Sequence, residues 1–501
     1  MNPALAVISD PTLTYQQKVA GLARVGESTA NPLRISAETR RYLEAGAICD
    51  LNEGPAPFRP RYIVPDYERF MRQGSAFLGL EPPRDIWEAT AALLILYRHV
   101  PSITTFPVYL GDIDVLLEPF VQNEAEARKA IGLFLLSIDR TINDSFCHAD
   151  IGPEATRAGR LILEITREQK NAVPNLSLKY DPAITPDDFA ALAASVALDV
   201  AKPSFANDPM FRSEFKAMGL GDYAVASCYN GLPKGGGSCT LVRINLARVA
   251  AFADDRDDLL ERVLPDVVAC QLDYMDERVR FVVSESGFFE SSFLVSEGLV
   301  SRDRFSAMFG LVGLAECVNA FSRDPRAPGK RFGRDAEADA LGLAIIERID
   351  GLVKAHSNPL LAANGGHYLL HAQVGIDSDH GVSPGCRIPI GEEPDLVEHI
   401  LRSAPFHKFF PSGIGDVFAF EPTAKANPRH LLDIARGAMA SGLRYFSAYA
   451  SDADVVRITG YLVKRSEMER LSRGEASLQD TTALGRNAVN NLGVLDRRLR
   501  S

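Results

Sequence analysis

The run Arg457-Ile458-Thr459-Gly460-Tyr461-Leu462, near the end of a 501-residue chain, sets a glycine inside a segment of otherwise β-forming residues. Glycine there offers a strand no side chain to pack and costs backbone entropy. It marks either a bulge or a place where another part of the chain comes very close. Any fold this sequence adopts has to supply one of those two environments close to its C-terminus.

A second concentration of glycine lies in the segment Ala226 to Leu246, which reads as a strand entering, a Gly/Pro-rich loop carrying Cys228, and a second strand leaving through Thr240 to Leu246. Gly235-Gly236-Gly237 resembles a phosphate cradle only in composition, because Lys234 precedes the glycines and no Gly-Lys-Ser/Thr closes the motif. Close passage of this loop through an enclosed interior accounts better for three glycines in a row.

A hydrophobic content of 46% with 24% charged residues supports a large core. A net charge of −11 argues against a nucleic-acid-binding surface, which needs a concentrated basic face, and favours a small-molecule substrate. The seven cysteines are scattered with no CxxC pair, which excludes the usual zinc spacings and a disulfide framework and suits a reducing compartment. No apolar run is long enough to span a bilayer, and Met1–Gln16 does not read as a secretory leader, so a cytoplasmic location without membrane contact is expected.

Along the chain the first fifty residues are helical in pattern, and Pro55–Pro65 is a connecting segment. A buried helix is predicted from Trp87 to His99 and a strand over Phe106–Leu110 leading to a Gly111-Asp112 turn. Thr185-Pro186-Asp187-Asp188 reads as a helix start with Thr185 as N-cap, and a long helix is predicted from Ala336 to Ala355. Short β-like segments fall at Tyr223–Ser227, Thr240–Leu246, Arg280–Val283 and Tyr445–Tyr449, and the polar tail Gly474–Ser501 reads as a mobile or externally packed extension. Alternating helices and short strands over this length predict an α/β fold with a largely enclosed sheet or barrel.

Arg457-Ile458-Thr459-Gly460-Tyr461 resembles the Arg-Val-x-Gly-Tyr signature of glycyl radical enzymes. The Cys228 loop and the following Ile244-Asn245-Leu246-Ala247-Arg248 resemble the active-site cysteine loop and Leu-Asn-Leu-Pro-Arg strand of the anaerobic (class III) ribonucleotide reductases, with Ala for Pro. Gly310-Leu311-Val312-Gly313-Leu314-Ala315-Glu316 resembles their Gly-x-x-Gly-Leu-x-Glu helix, and Gly442-Leu443-Arg444-Tyr445-Phe446 their Gly-x-x-Tyr-Phe strand. These matches run in order from Gly221 to the C-terminus. With Ser227-Cys228-Tyr229-Asn230 before the triple glycine and no zinc element between Tyr449 and Arg457, the chain looks most like the YjjI family of glycine radical enzymes.

That resemblance implies a ten-stranded barrel surrounded by helices, a catalytic cysteine on an internal finger loop and a radical loop at the C-terminus. It divides the chain into residues 1–439, a helical region and barrel core, and 440–501, a glycyl radical domain. It implies that Gly460 stores a radical, installed by a radical-SAM activating enzyme with an iron–sulfur cluster, and that Cys228 relays it to abstract hydrogen from a small polar metabolite under anaerobic conditions. An α-radical is stabilised by the flanking amide groups only at a flattened α-carbon, which a β-carbon would oppose. A homodimer is allowed, and no bound metal is expected.

The departures are informative. Asn230 stands where the dehydratase branch carries a glutamate base, and the reductases' four-cysteine element is missing. The alternatives are a non-catalytic metabolite-binding descendant of the barrel and an anaerobic nucleotide-reductase-like enzyme. Cys239 is a second candidate for the thiyl position, and Cys317, on an apolar helical face, reads as a core thiol. His367 and His371, with Asp377, Asp379 and His380 behind them, have metal-compatible spacing but lack the H-E-x-x-H glutamate, leaving substrate contact or a buried segment as the other readings.

Overall fold

The computed structural model describes residues 2–102, 106–142, 144–322, 328–374 and 379–500. Its strands are β1 (Ile48–Cys49), β2 (Tyr62–Val64), β3 (His148–Ile151), β4 (Asn175–Tyr180), β5 (Ser204–Asn207), β6 (Tyr223–Ala226), β7 (Asn230–Pro233) and β8 (Gly236–Asn245). After these come β9 (Phe305–Val312), β10 (Leu369–Ala372), β11 (Asp416–Phe420), β12 (Tyr445–Ala450), β13 (Val455–Arg457), β14 (Leu462–Lys464) and β15 (Leu499–Arg500). One sheet runs β15-β11-β12-β5-β4-β3. In the other, β8, β9 and β10 lie parallel while β1 and β2 pair antiparallel with opposite ends of β8. Two hairpins, β6–β7 and β13–β14, stand apart from both sheets.

Strands β3, β4, β8, β9 and β12 are buried at every position, as expected when both faces of a sheet are covered. Their cover is helical. Ala336–Lys354 opens with Asp335 accepting the Ala338 N–H, carries Glu337 and Asp339 in its first turn and Lys354 in its last, and buries Leu341, Ile345 and Ile349. Ile86–Tyr97 is the predicted buried helix.

Several local expectations are corrected. Arg280–Val283 is the end of a long helix, Leu264–Ser284, not a strand. Met275, Val279, Val282 and Val283 share its buried face, and burial against β8 outweighs the β-branched composition. Phe106–Leu110 forms no strand, although Leu110 donates to the His148 carbonyl and Asp112 bridges Asp150. The helix after Thr185 starts at Asp187, and the Thr185 hydroxyl accepts from the Asp181 N–H instead of capping it. Gly310–Val312 ends β9, so only Leu314 onward is helical. The tail is tied into the fold: it contains the helix Thr482–Leu492, and β15 pairs with β11.

The triple glycine lies where strands crowd. A β-carbon on Gly236 would stand 2.0 Å from the Arg304 carbonyl oxygen, and one on Gly237 2.0 Å from that of Tyr62. Lys234 turns away to pair with Asp112 and, at 3.6 Å, with Glu68. Close passage of backbone, not phosphate binding, is what these glycines serve.

Candidate active site

The glycine signature forms the turn between β13 and β14, closed by the Ile458 N–H donating to the Tyr461 carbonyl at 3.0 Å. The turn is fully buried, so its carbonyls need partners. Asn175 at the start of β4 donates its amide N–H to the Gly460 carbonyl at 3.1 Å. Arg457, completely buried, donates to Asn175 Oδ1 at 3.1 Å and to the Ala201 carbonyl at 2.8 Å. From the tail, Arg497 donates to the Arg457 carbonyl at 2.7 Å and also to the Ile458 carbonyl. Sequence reasoning found Arg457 as part of the motif. It missed Asn175 and Arg497, which no local pattern distinguishes.

Cys228 sits at the tip of the β6–β7 hairpin, a finger whose three-residue turn is Ser227-Cys228-Tyr229. Ser227 adopts the left-handed conformation at φ 58°, a cost of about 1 kcal/mol or more that its surroundings have to hold in place. Its N–H donates to the Val108 carbonyl at 2.8 Å, and its carbonyl accepts from His148 Nδ1 at 3.0 Å. Burial lowers the His148 pKa to about 3, so the ring is neutral. Nδ1 carries the proton, Nε2 accepts from Ser177 Oγ at 2.7 Å, and the Tyr445 hydroxyl in turn donates to Ser177 at 2.7 Å. The Tyr229 hydroxyl donates to the Ala372 carbonyl at 2.7 Å. Both sheets thus grip the fingertip.

Finger and glycine turn meet. A methyl group on the Gly460 α-carbon would stand 2.2 Å from Cys228 Cβ and 2.7 Å from its Sγ. The close approach expected of a glycine in a β-forming run is therefore an approach by Cys228. Burial pushes the Cys228 thiol up to about 12, with the neighbouring Ser227 hydroxyl only partly opposing it, so at neutral pH the sulfur keeps its hydrogen. Such a group is a poor thiolate nucleophile and is suited to giving up a hydrogen atom.

Cys228 opens onto a cavity of about 270 Å³ whose lining includes Arg61, Asp144, Asn230, Gln373 and Thr481. Asn230, two residues beyond the cysteine, is buried with an amide oxygen that meets no donor. Cys239, inside β8, and Cys317, in the helix Leu314–Ala320, are fully buried and do not line this cavity. Burial raises both thiols, Cys317 to about 12.

The histidine pair is not brought together on a metal. His367 donates from Nδ1 to the His356 carbonyl at 2.7 Å, and His371, in β10, to that of Ser412 at 2.9 Å. Burial lowers the His371 pKa to about 4. Asp379 forms a two-pronged pair with Arg243 at 2.7 Å on each oxygen, His380 is exposed, and Asp377 lies outside the described residues. Among the described residues no three His, Cys, Asp or Glu side chains gather as a metal site, and no helix is long and apolar enough to cross a membrane.

The architecture is that of the glycyl radical enzymes. The structure matches the glycerol-bound form of the B12-independent glycerol dehydratase from Clostridium butyricum with a TM-score of 0.74 at 12% identity, over 97% of this chain and 86% of that one. It matches the anaerobic ribonucleotide reductase from Thermotoga maritima in complex with dATP and CTP with a TM-score of 0.68 at 12% identity, over 90% of each chain. In sequence, a Haemophilus influenzae protein described as "Uncharacterized protein" is 45% identical over 507 residues, which span 100% of this chain and 98% of that one. Residues 13–500 match the family model "Glycyl radical enzyme YjjI-like". The chain belongs to the YjjI-like family of glycyl radical enzymes.

Proposed function

We propose that Gly460 and Cys228 are the radical-bearing pair of an anaerobic enzyme acting on a small polar metabolite. A radical-SAM activating enzyme removes one hydrogen atom from the Gly460 α-carbon. Cys228 then gives its thiol hydrogen to that carbon, leaving a thiyl radical at the cavity wall. The thiyl takes a hydrogen atom from a substrate C–H bond, and after rearrangement the product radical recovers it from the same sulfur; an elimination then consumes no external electrons, whereas a reduction would draw two from a small-molecule reductant used as co-substrate.

One observation carries this reading: the Gly460 α-carbon and the Cys228 sulfur are neighbours, and hydrogen-atom transfer needs near contact. The un-ionised thiol and the Asn175 hydrogen bond that draws electron density toward the Gly460 carbonyl both favour it. Burial of the turn keeps water and stray reductants from the stored radical. With Asn230 in place of a carboxylate near the sulfur, any acid–base step has to use another group, and the reaction class stays open between elimination and reduction.

Anaerobic electron paramagnetic resonance after incubation with the cognate activating enzyme tests the assignment. Wild type is expected to give a doublet from one α-proton, Gly460→Ala none, and Cys228→Ser the doublet without turnover. A working activating enzyme that leaves wild type silent would overturn the radical reading in favour of a metabolite-binding protein. Undiminished activity in Cys228→Ser would remove Cys228 from the relay.

A further inference from the structure

The first two helices, Pro3–Ser9 and Tyr15–Glu27, hold no buried residue, although a helix in a folded protein draws most of its stability from a buried face. They are tied to each other. A β-carbon on Gly21 would stand 2.9 Å from Val7 Cγ1, and Lys18 Nζ donates to the Ile8 carbonyl at 2.7 Å. The second helix is closed at its start by a capping box of Thr14 and Gln17. The pair is therefore one unit. Beyond it residues 28–31 run exposed, and the chain joins the body where Leu33 is buried and the Arg34 N–H donates to Glu277 at 3.0 Å.

This unit lies at the mouth of the Cys228 cavity. Among the described residues lining that cavity, Arg24, Asn52 and Asp480 are exposed and the rest are buried or half-buried. Arg24 belongs to the second helix and Asp480 to the C-terminal tail. Two turns before Arg24, on the same face, Gln17 donates to Asp480 Oδ1 at 2.9 Å and to the Ser477 carbonyl at 3.4 Å, and Arg24 attracts the Asp480 carboxylate. The Gln17–Asp480 bond is exposed to water, which weakens it. Apolar packing does not make up the difference: a cleft of about 320 Å³ remains between helix and tail, with Leu13, Ala20, Leu471 and Ala483 on its walls.

Cys228 is only 3% exposed, so a substrate reaches it by way of an opening that the closed structure does not offer. We propose that residues 3–27 form a hinged lid over the cavity mouth, latched by Gln17 on Asp480. The lid swings on residues 28–31 to admit substrate and closes again to keep water from the reacting radical. The proposal rests on the cavity being the substrate site of the radical reaction, but opening of the lid does not require the radical and is measured without it.

Alkylation of the full-length, unactivated protein by iodoacetamide at pH 8, followed cysteine by cysteine with mass spectrometry, tests this. Gln17→Glu keeps the acceptor that receives the Thr14 N–H, so the helix start survives, but it sets a carboxylate against Asp480. Alkylation of Cys228 is expected to quicken about threefold or more, while Cys239 and Cys317, buried away from the cavity, keep their wild-type rates. The added negative charge by itself would hold the thiol in its un-ionised form and slow the reaction, so a faster rate reads the lid and not the sulfur. Combining Gln17→Glu with Asp480→Lys restores the latch as an ion pair and should return the Cys228 rate to near wild type. An unchanged Cys228 rate in Gln17→Glu, a rise shared by Cys239 and Cys317, or a rise that the second substitution does not reverse would overturn the proposal. The radical assignment would be untouched, since the paramagnetic doublet reads it separately.

Discussion

A methyl group added at Gly460 should be felt by Cys228 and by little else. The new Cβ would lie 2.2 Å from Cys228 Cβ, more than an ångström short of ordinary contact, and the obstructing atom is bonded to the backbone, not at the end of a flexible side chain. The backbone there is fixed by the Ser227 hydrogen bonds to Val108 and His148. Over-packing of this kind costs about 1–3 kcal/mol. In a Cys228→Gly background the next obstacle is Val374 Cγ1 at 3.1 Å, a side-chain methyl, and the cost of Gly460→Ala should shrink to a few tenths of a kcal/mol. The assay is anaerobic urea unfolding of all four proteins in the cycle, with hydrogen exchange over residues 455–464 to locate the change. A coupling of at least about 1 kcal/mol is expected. If Gly460→Ala costs the same with and without the Cys228 side chain, the two residues are not in contact and the relay loses its geometric basis.

Replacing Arg497 by Met leaves the Arg457 and Ile458 carbonyls buried without their donor, so stability should fall by about 2–4 kcal/mol and amide exchange in the Gly460 turn should quicken. Unchanged protection of that turn would show that the tail does not brace it. Asp114 is fully buried, and burial raises its carboxyl to about 7, against the Gly152 and Thr156 hydrogen bonds that favour ionisation. The folded protein therefore holds this proton more tightly than the unfolded chain, and the contribution present below the unfolded pKa is lost as pH rises toward 7. Between pH 5 and 8 it should remove roughly 2–3 kcal/mol of stability. Asp114→Asn should flatten that part of the profile in urea titrations, and an unaltered slope would mean the carboxyl is already ionised in the fold.

The glycine–cysteine pair was legible because the proposed chemistry demands residue types that stand out against their surroundings: a glycine among Ile, Thr and Tyr, and a cysteine before a glycine-rich turn. The corrections share a cause. Arg280–Val283 reads as a strand from its branched side chains and becomes helix because its apolar face is buried against β8, which composition cannot register. The tail Gly474–Arg500 reads as an extension because it is polar, yet those polar side chains, Arg497 foremost, satisfy buried carbonyls elsewhere in the chain.

The sequence by itself determined the family, the order of its motifs and the two residues on which a radical relay would rest, since each is a matter of residue type at a position along the chain. Only the tertiary structure decided what surrounds them: that Cys228 is the neighbour Gly460 makes room for, that Asn175 and Arg497 hold the turn, and that His148 fixes the fingertip. Hydrogen-bond satisfaction and burial depend on residues hundreds of positions apart meeting in space, and no local pattern encodes that meeting.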